Sequence, residues 1–248
     1  MKFIKLIFII CIIAVGFGAK AQESSSQKIY IVNGYFFHEI PVNNKLINSV
    51  FTVETDNGTK AYCLALSQDL PEEALLYTIP KEQVSEADEL LDRYEAEKGN
   101  AIDISFTDGE QLINVGDKFP KFSATDITGK VWTNDDVAGK VIVLNCWFTG
   151  CGPCRAEMPE LSAWKNEMPD VMFFSSTYES ADEAKSILEE RGFNWIALVN
   201  DTQFKEYVGN NGYPMTIVVD KDGVMRQIEY GTSILQRNSI KRTIQSLR

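Results

Sequence analysis

Two cysteines three residues apart, Cys151 and Cys154, constrain this chain more than any other feature of its sequence. A β-branched, apolar run over residues 141–147 precedes them and predicts a buried strand, and Arg155 begins a predicted helix. The pair therefore lies at a strand-to-helix junction, where unpaired backbone N–H groups and the helix dipole favour a thiolate. This arrangement predicts reversible dithiol–disulfide chemistry.

Two other uses of a Cys-x-x-Cys pair stay open on the residues alone. A zinc site needs two more ligands, and the candidates Cys63, Cys146 and the single histidine His38 show no paired spacing. A purely structural disulfide that closes so short a loop would contribute little stability. The α/β pattern around the pair favours redox chemistry over both alternatives.

The residues around the pair resemble those of a known family. The run from Trp147 to Cys154 is similar to the thioredoxin active site, and Pro159 matches the proline in the helix that follows. Residues 212–216, Gly-Tyr-Pro-Met-Thr, resemble the cis-proline loop of that family. With the leading segment 115–122, these motifs make residues 114–248 similar to the TlpA/ResA-like extracytoplasmic thiol-disulfide oxidoreductases, which include proteins of cytochrome c maturation.

The resemblance implies an α/β fold in which a thioredoxin-like central mixed sheet is flanked by helices. The alternation of strand and helix patterns from Asn114 onwards agrees with it. Residues 22–113 predict a separate, small α+β domain whose role the sequence does not indicate. Its predicted elements are strands at 28–32, 49–53, 60–66 and 101–106 and a helix at 82–98.

The resemblance also implies roles for individual residues. Cys151 is the nucleophile that forms a mixed disulfide, and Cys154 resolves it. Thioredoxins carry a buried aspartate six residues before the first cysteine, where this chain has Asn145, so Glu179 is the expected proton carrier. The predicted substrate-binding residues are Trp147, Gly152, Pro153, Tyr213 and a cis Pro214. No metal or cofactor is expected beyond the Cys151–Cys154 disulfide itself.

The first 21 residues have the pattern of a signal peptide. Lys2 and Lys5 precede a short apolar run, and Ala19-Lys20-Ala21 forms a small-x-small cleavage site. Cys11 lies in the middle of the apolar run without small residues before it, so lipidation is not expected. The pattern predicts export to a periplasmic or other extracytoplasmic compartment, where disulfides persist.

The charge of the chain and its cysteine motif indicate protein partners rather than nucleic acid. The chain has 35 acidic and 24 basic residues, and the net charge of −11 argues against nucleic-acid binding. The expected partners are protein disulfides or dithiols, together with a membrane thiol reductase that recharges an exported reductant. The Gly-Pro pair between the cysteines resembles that of reducing thioredoxins.

Two other functions compete with disulfide reduction. A peroxiredoxin-like peroxidase shares the leading segment, but its Pro-x-x-x-Thr-x-x-Cys motif is absent because Leu144 and Phe148 occupy the key positions. A binding module would instead use residues 22–113 to hold a partner while the cysteine pair senses the redox state. Consumption of peroxide with a thiol donor would indicate the peroxidase. Slow turnover with tight, redox-dependent capture of a partner would indicate the binding module.

Overall fold

The computed structural model describes residues 28–103 and 111–248, which form two separate β-sheets. The first sheet has five strands and the second has seven. The predicted signal peptide, residues 1–21, lies outside the described residues. Within the described ranges, no helix has the length and apolar character needed to cross a bilayer.

The N-terminal sheet packs one helix against one of its faces. Its strands are β1 (Ile29–Val32), β2 (Tyr35–Phe37), β3 (Ile47–Glu54), β4 (Lys60–Leu66) and β5 (Ile102–Asp103), in the order β2-β1-β4-β3-β5. Helix α1 (Ala87–Glu97) buries Leu90 and Tyr94 in a cluster with Ile31 and Cys63 of the sheet. The helix predicted from residue 82 begins later, because a short 3-10 turn after Pro80 occupies residues 81–83.

The second sheet is mixed, as predicted. Its strands are β6 (Ser123–Asp126), β7 (Val131–Thr133), β8 (Ile142–Cys146), β9 (Met172–Ser176), β10 (Ile196–Val199), β11 (Met215–Val219) and β12 (Met225–Tyr230). The order is β12-β11-β8-β9-β10-β6-β7. Strands β8, β9 and β10 run parallel, and the outer pairs are antiparallel. The short strands β6 and β7 were not predicted, since only the turn between them has a clear sequence signal.

Helices cover both faces of this sheet. They are α2 (Gly152–Glu167), α3 (Ala181–Arg191), α4 (Gln203–Val208) and α5 (Ile234–Leu247). Because side chains alternate along a strand, Val143 of β8 packs with α2, α3 and α5, whereas Leu144 packs with α4 on the opposite face. Strand β8 is buried at all five positions and holds the active-site loop from the centre of the core.

The two sheets also meet through side chains. Ile113, which the sequence placed in the N-terminal domain, is 4% exposed and packs with Phe119 in the core of the second sheet. Arg237 of α5 forms an ion pair with Glu39. Glu39 follows His38, the first residue after strand β2 of the N-terminal sheet. The N-terminal part therefore contacts the helix layer that carries the cysteine pair.

Candidate active site

The two cysteines occupy the start of helix α2, one short loop after strand β8. They are joined as a disulfide with their Cα atoms 5.3 Å apart. The backbone N–H of Cys154 donates a hydrogen bond to Cys151 Sγ over 3.2 Å, so the Cys151 sulfur caps the helix. In the reduced protein the same N–H group and the helix dipole stabilise a thiolate at Cys151.

The disulfide is more buried than the sequence suggested. An attacking residue at a helix start would be expected to be exposed, but Cys151 is only 5% exposed, against 1% for Cys154. Phe148 and Tyr213 pack against the core cluster that contains the disulfide, with their ring centroids 5.1 Å apart. Cys151 still has the larger accessible surface, which agrees with its expected role as the attacking residue.

The predicted substrate-binding residues divide into two groups. Gly152 and Pro153 are exposed next to the disulfide, as a substrate contact requires. Trp147 is 0% exposed in the core cluster under the site. A side chain without accessible surface cannot contact a substrate in this conformation, so Trp147 is a core residue, and its assignment as a substrate contact is corrected.

The proline loop has the predicted conformation. The Tyr213–Pro214 peptide bond is cis. The next residue, Met215, pairs with Cys146 in the ladder between β11 and β8, which puts Pro214 at the sheet end from which the cysteine loop departs. Tyr213 is half-buried and lies before the strand, at the position expected to meet an extended substrate segment.

Glu179 lies beside the active-site loop, but its carboxylate is fully engaged. The backbone N–H and the hydroxyl of Thr149 donate hydrogen bonds to its two oxygens, each over 2.7 Å, and Thr177 adds a longer one. These bonds fix the loop two residues before Cys151. The geometry gives Glu179 an anchoring role in this loop, and proton transfer by Glu179 stays a prediction.

Glu157, which sequence reasoning missed, has the environment of a proton carrier. It lies one helical turn after Cys154, a spacing that brings Cβ atoms to about 5–6 Å, and it is 5% exposed. The side chain of Asn145 donates one hydrogen bond to Glu157 over 2.9 Å and another to Thr216 over 3.0 Å. Asn145 therefore orients a carboxyl group supplied by the helix.

Burial raises the pKa of the Glu157 carboxyl to about 7. Hydrogen bonds from Thr232 and Asn145 and the charge of Arg237 oppose this rise. A carboxyl that titrates near neutrality can both accept and return a proton under ordinary conditions. Its sequence signal was an acidic residue three positions after Cys154, together with the missing aspartate at position 145.

The other two cysteines that the structure describes, Cys63 and Cys146, have no place in this chemistry. Cys63 is fully buried in the N-terminal sheet, and burial raises its pKa to about 12. Cys146 is 2% exposed, and burial raises its pKa well above the ordinary value. Among residues 28–103 and 111–248, no group of three or more His, Cys, Asp or Glu side chains could hold a metal ion.

Comparison with known proteins agrees with the fold. The redoxin family matches residues 114–244, a little more than half of the chain. The thioredoxin-like protein YneN of Bacillus subtilis is 27% identical over 133 residues, covering 52% of this chain and 78% of YneN. The thiol-disulfide oxidoreductase ResA of Bacillus thuringiensis is 31% identical over 130 residues, covering 50% of this chain and 73% of ResA.

A solved structure supports the fold alone. A protein from Chlorobium tepidum described as a thiol:disulfide interchange protein DsbE superimposes with a TM-score of 0.51 and 21% identity, over 54% of this chain and 98% of that chain. The sheet order, the helix-capping disulfide and the sequence matches agree with one another. The chain therefore belongs to the redoxin family, and its C-terminal part has the thioredoxin-like fold.

Proposed function

We propose that this protein is a thiol-disulfide oxidoreductase that reduces disulfide bonds in other proteins. The observation that carries the proposal is the Cys151–Cys154 disulfide at the start of α2, with exposed Gly152 and Pro153 beside it and Glu157 buried one turn below. Relatives that match this part of the chain are named thiol-disulfide oxidoreductases, which supports the same activity.

The proposed reaction starts from the dithiol form. The Cys151 thiolate attacks one sulfur of a substrate disulfide, so that a Cys151–substrate bond forms and the other substrate sulfur leaves as a thiolate. The Cys154 thiol then loses its proton and attacks Cys151 Sγ. This step forms the Cys151–Cys154 disulfide and releases the second substrate thiol. The substrate gains two electrons and the enzyme loses them.

Glu157 is the group that we assign to the proton of Cys154. A carboxylate in a buried site accepts a proton readily because protonation removes its unfavourable buried charge. Asn145 and Thr232 hold the carboxyl in position by hydrogen bonds. Asn145 itself cannot accept the proton, since an amide side chain is not basic in water. Glu157 thus takes the place that the sequence had given to Glu179.

The location and the electron source complete the proposal. The signal-peptide pattern of residues 1–21 supports export. An exported reductant becomes oxidised with each turnover, so it needs a donor, which we propose is a membrane thiol reductase. A place in cytochrome c maturation stays a prediction that rests on the family resemblance.

A turnover assay with a protein disulfide such as insulin, with dithiothreitol as electron donor, tests the proposal. We expect Cys151→Ser to abolish the catalysed rate and Cys154→Ala to accumulate a mixed disulfide on Cys151. Cys63→Ala is the matched control, because it removes a free, fully buried cysteine far from α2 and should leave turnover intact. A catalysed rate that survives Cys151→Ser would refute the proposal, and tight redox-dependent capture without turnover would favour the binding module.

A further inference from the structure

The contact between the N-terminal part and helix α5 includes one buried cation, Arg237. The Arg237 side chain is only 8% exposed, and its Nη2 donates a hydrogen bond to Glu39, which follows strand β2. Its Nε donates to Glu160 of helix α2 over 2.7 Å. A buried guanidinium between two carboxylates is fixed in position, because removing either partner leaves charge uncompensated.

This contact continues into the active site. The third arm of the guanidinium, Arg237 Nη1, donates a hydrogen bond to the Thr232 hydroxyl over 3.1 Å. Thr232 lines the same cleft as Glu157, and its hydroxyl acts as a donor toward the Glu157 carboxyl and lowers the pKa of that group. A series of polar groups therefore leads from Glu39 through Arg237 and Thr232 to Glu157.

The same residues line a cleft between the two parts of the protein. This cleft of about 330 Å³ opens beside Gly152 and Pro153. The charged side chains on its walls are Lys28, Glu39, Glu157, Glu160 and Arg237. The N-terminal part thus contributes charge to the surroundings of the reacting cysteines as well as packing surface.

We propose that Thr232 and Arg237 are positioning residues for Glu157, and that the N-terminal domain sets their arrangement through Glu39. The N-terminal domain then tunes proton transfer at Cys154. The significance for catalysis rests on the proposed function, in which Glu157 exchanges the Cys154 proton.

The charges predict effects of opposite sign for two substitutions. Thr232→Val removes a hydrogen bond to the charged carboxylate, so the pKa of Glu157 should rise by about one unit. Glu39→Gln removes one of two negative partners of Arg237, so the guanidinium is less neutralised and the pKa of Glu157 should fall. Glu160 and Thr232 still hold Arg237 in that variant. A general loosening of the site would not produce opposite shifts.

The experiment is a carboxyl ¹³C NMR titration of the oxidised protein, with the Glu157 signal assigned by its absence in Glu157→Gln. It compares Thr232→Val, Glu39→Gln and the conservative Thr232→Ser, which retains the hydroxyl and should titrate as the unmodified protein does. Tyr77→Phe is the control, since it removes a different hydrogen bond between the N-terminal part and α5, from Asn238 over 2.7 Å, which does not lead to Glu157.

Opposite shifts for Thr232→Val and Glu39→Gln, with no shift for Tyr77→Phe, would support the proposal. It would be overturned if Glu39→Gln left the Glu157 titration unchanged, or if Tyr77→Phe moved it equally. Should Thr232→Val fail to fold, the comparison of Glu39→Gln with Tyr77→Phe still tests the proposal. The titration needs no substrate, so it gives its answer even if the protein reduces no disulfide.

Discussion

Replacing Glu157 by glutamine should stabilise the protein at neutral and alkaline pH. Burial raises the pKa of this carboxyl from an ordinary value of 4.5 to about 7, so ionising it in the folded protein is unfavourable. Each pKa unit corresponds to about 1.4 kcal/mol, which makes the full penalty about 3 kcal/mol. Glutamine is neutral, similar in shape, and keeps an oxygen that can accept the hydrogen bond from Asn145.

The pH range of this effect follows from proton binding. Between pH 4.5 and about 7 the unfolded chain has released the Glu157 proton and the folded protein retains it. The free energy of unfolding therefore falls as pH rises through this range, and the loss is complete above pH 7. The glutamine variant lacks this loss. Its advantage should be absent near pH 4, grow through the range and level off at about 3 kcal/mol.

Urea unfolding of the oxidised protein at a series of pH values measures this difference. Glu206→Gln is a suitable control, because Glu206 is exposed, so the substitution removes the same charge without changing a buried group. An advantage of Glu157→Gln that is independent of pH, or a loss of stability at pH 8, would show that the carboxyl is not held protonated by burial. The proton-transfer assignment would then lose its physical basis.

Three further predictions concern other parts of the molecule. Cys63 and Cys146 should resist iodoacetamide at pH 8 in the folded protein and react only after unfolding, because both thiols are buried and have raised pKa values. Rapid labelling of either thiol in the folded protein would contradict this prediction. Glu179→Ala should lower the free energy of unfolding by about 1–3 kcal/mol, since the backbone N–H and the hydroxyl of Thr149 both lose their acceptors. An unchanged urea midpoint would exclude the anchoring role. Leu90→Ala should lower the free energy of unfolding by about 2–5 kcal/mol, because it leaves a cavity in the N-terminal core. A decrease below about 1 kcal/mol would show that this core is not tightly packed.

Local sequence signals were sufficient for the elements nearest the site. The cysteine motif predicted that a helix follows the buried strand, and α2 begins there at Gly152. At α3 the capping box formed by Ser180 and Glu183 marks the helix start. These signals succeed because each helix start is decided by a few adjacent residues. The strands β6 and β7 have only four and three residues, and β6 joins the sheet by pairing with β10, which lies far along the chain.

Residue burial at the site could not be predicted in the same way. Glu157 belongs to a charged-looking helix surface in the sequence, and it is buried only because β8 and α5 pack against it. Its partners Asn145 and Thr232 lie 12 and 75 positions away in the chain. Trp147 directly follows a buried strand, and whether it faced the core or a substrate was decided by the packing of α2 and the sheet.

The most direct test of the central claim is the equilibrium reduction potential of the Cys151–Cys154 couple, measured against dithiothreitol and glutathione. A reductant of protein disulfides should have a potential near that of thioredoxin, about −270 mV. A potential near that of the strongly oxidising disulfide-forming proteins, about −120 mV, would reverse the direction of electron flow. The absence of any reversible couple would contradict the redox function altogether.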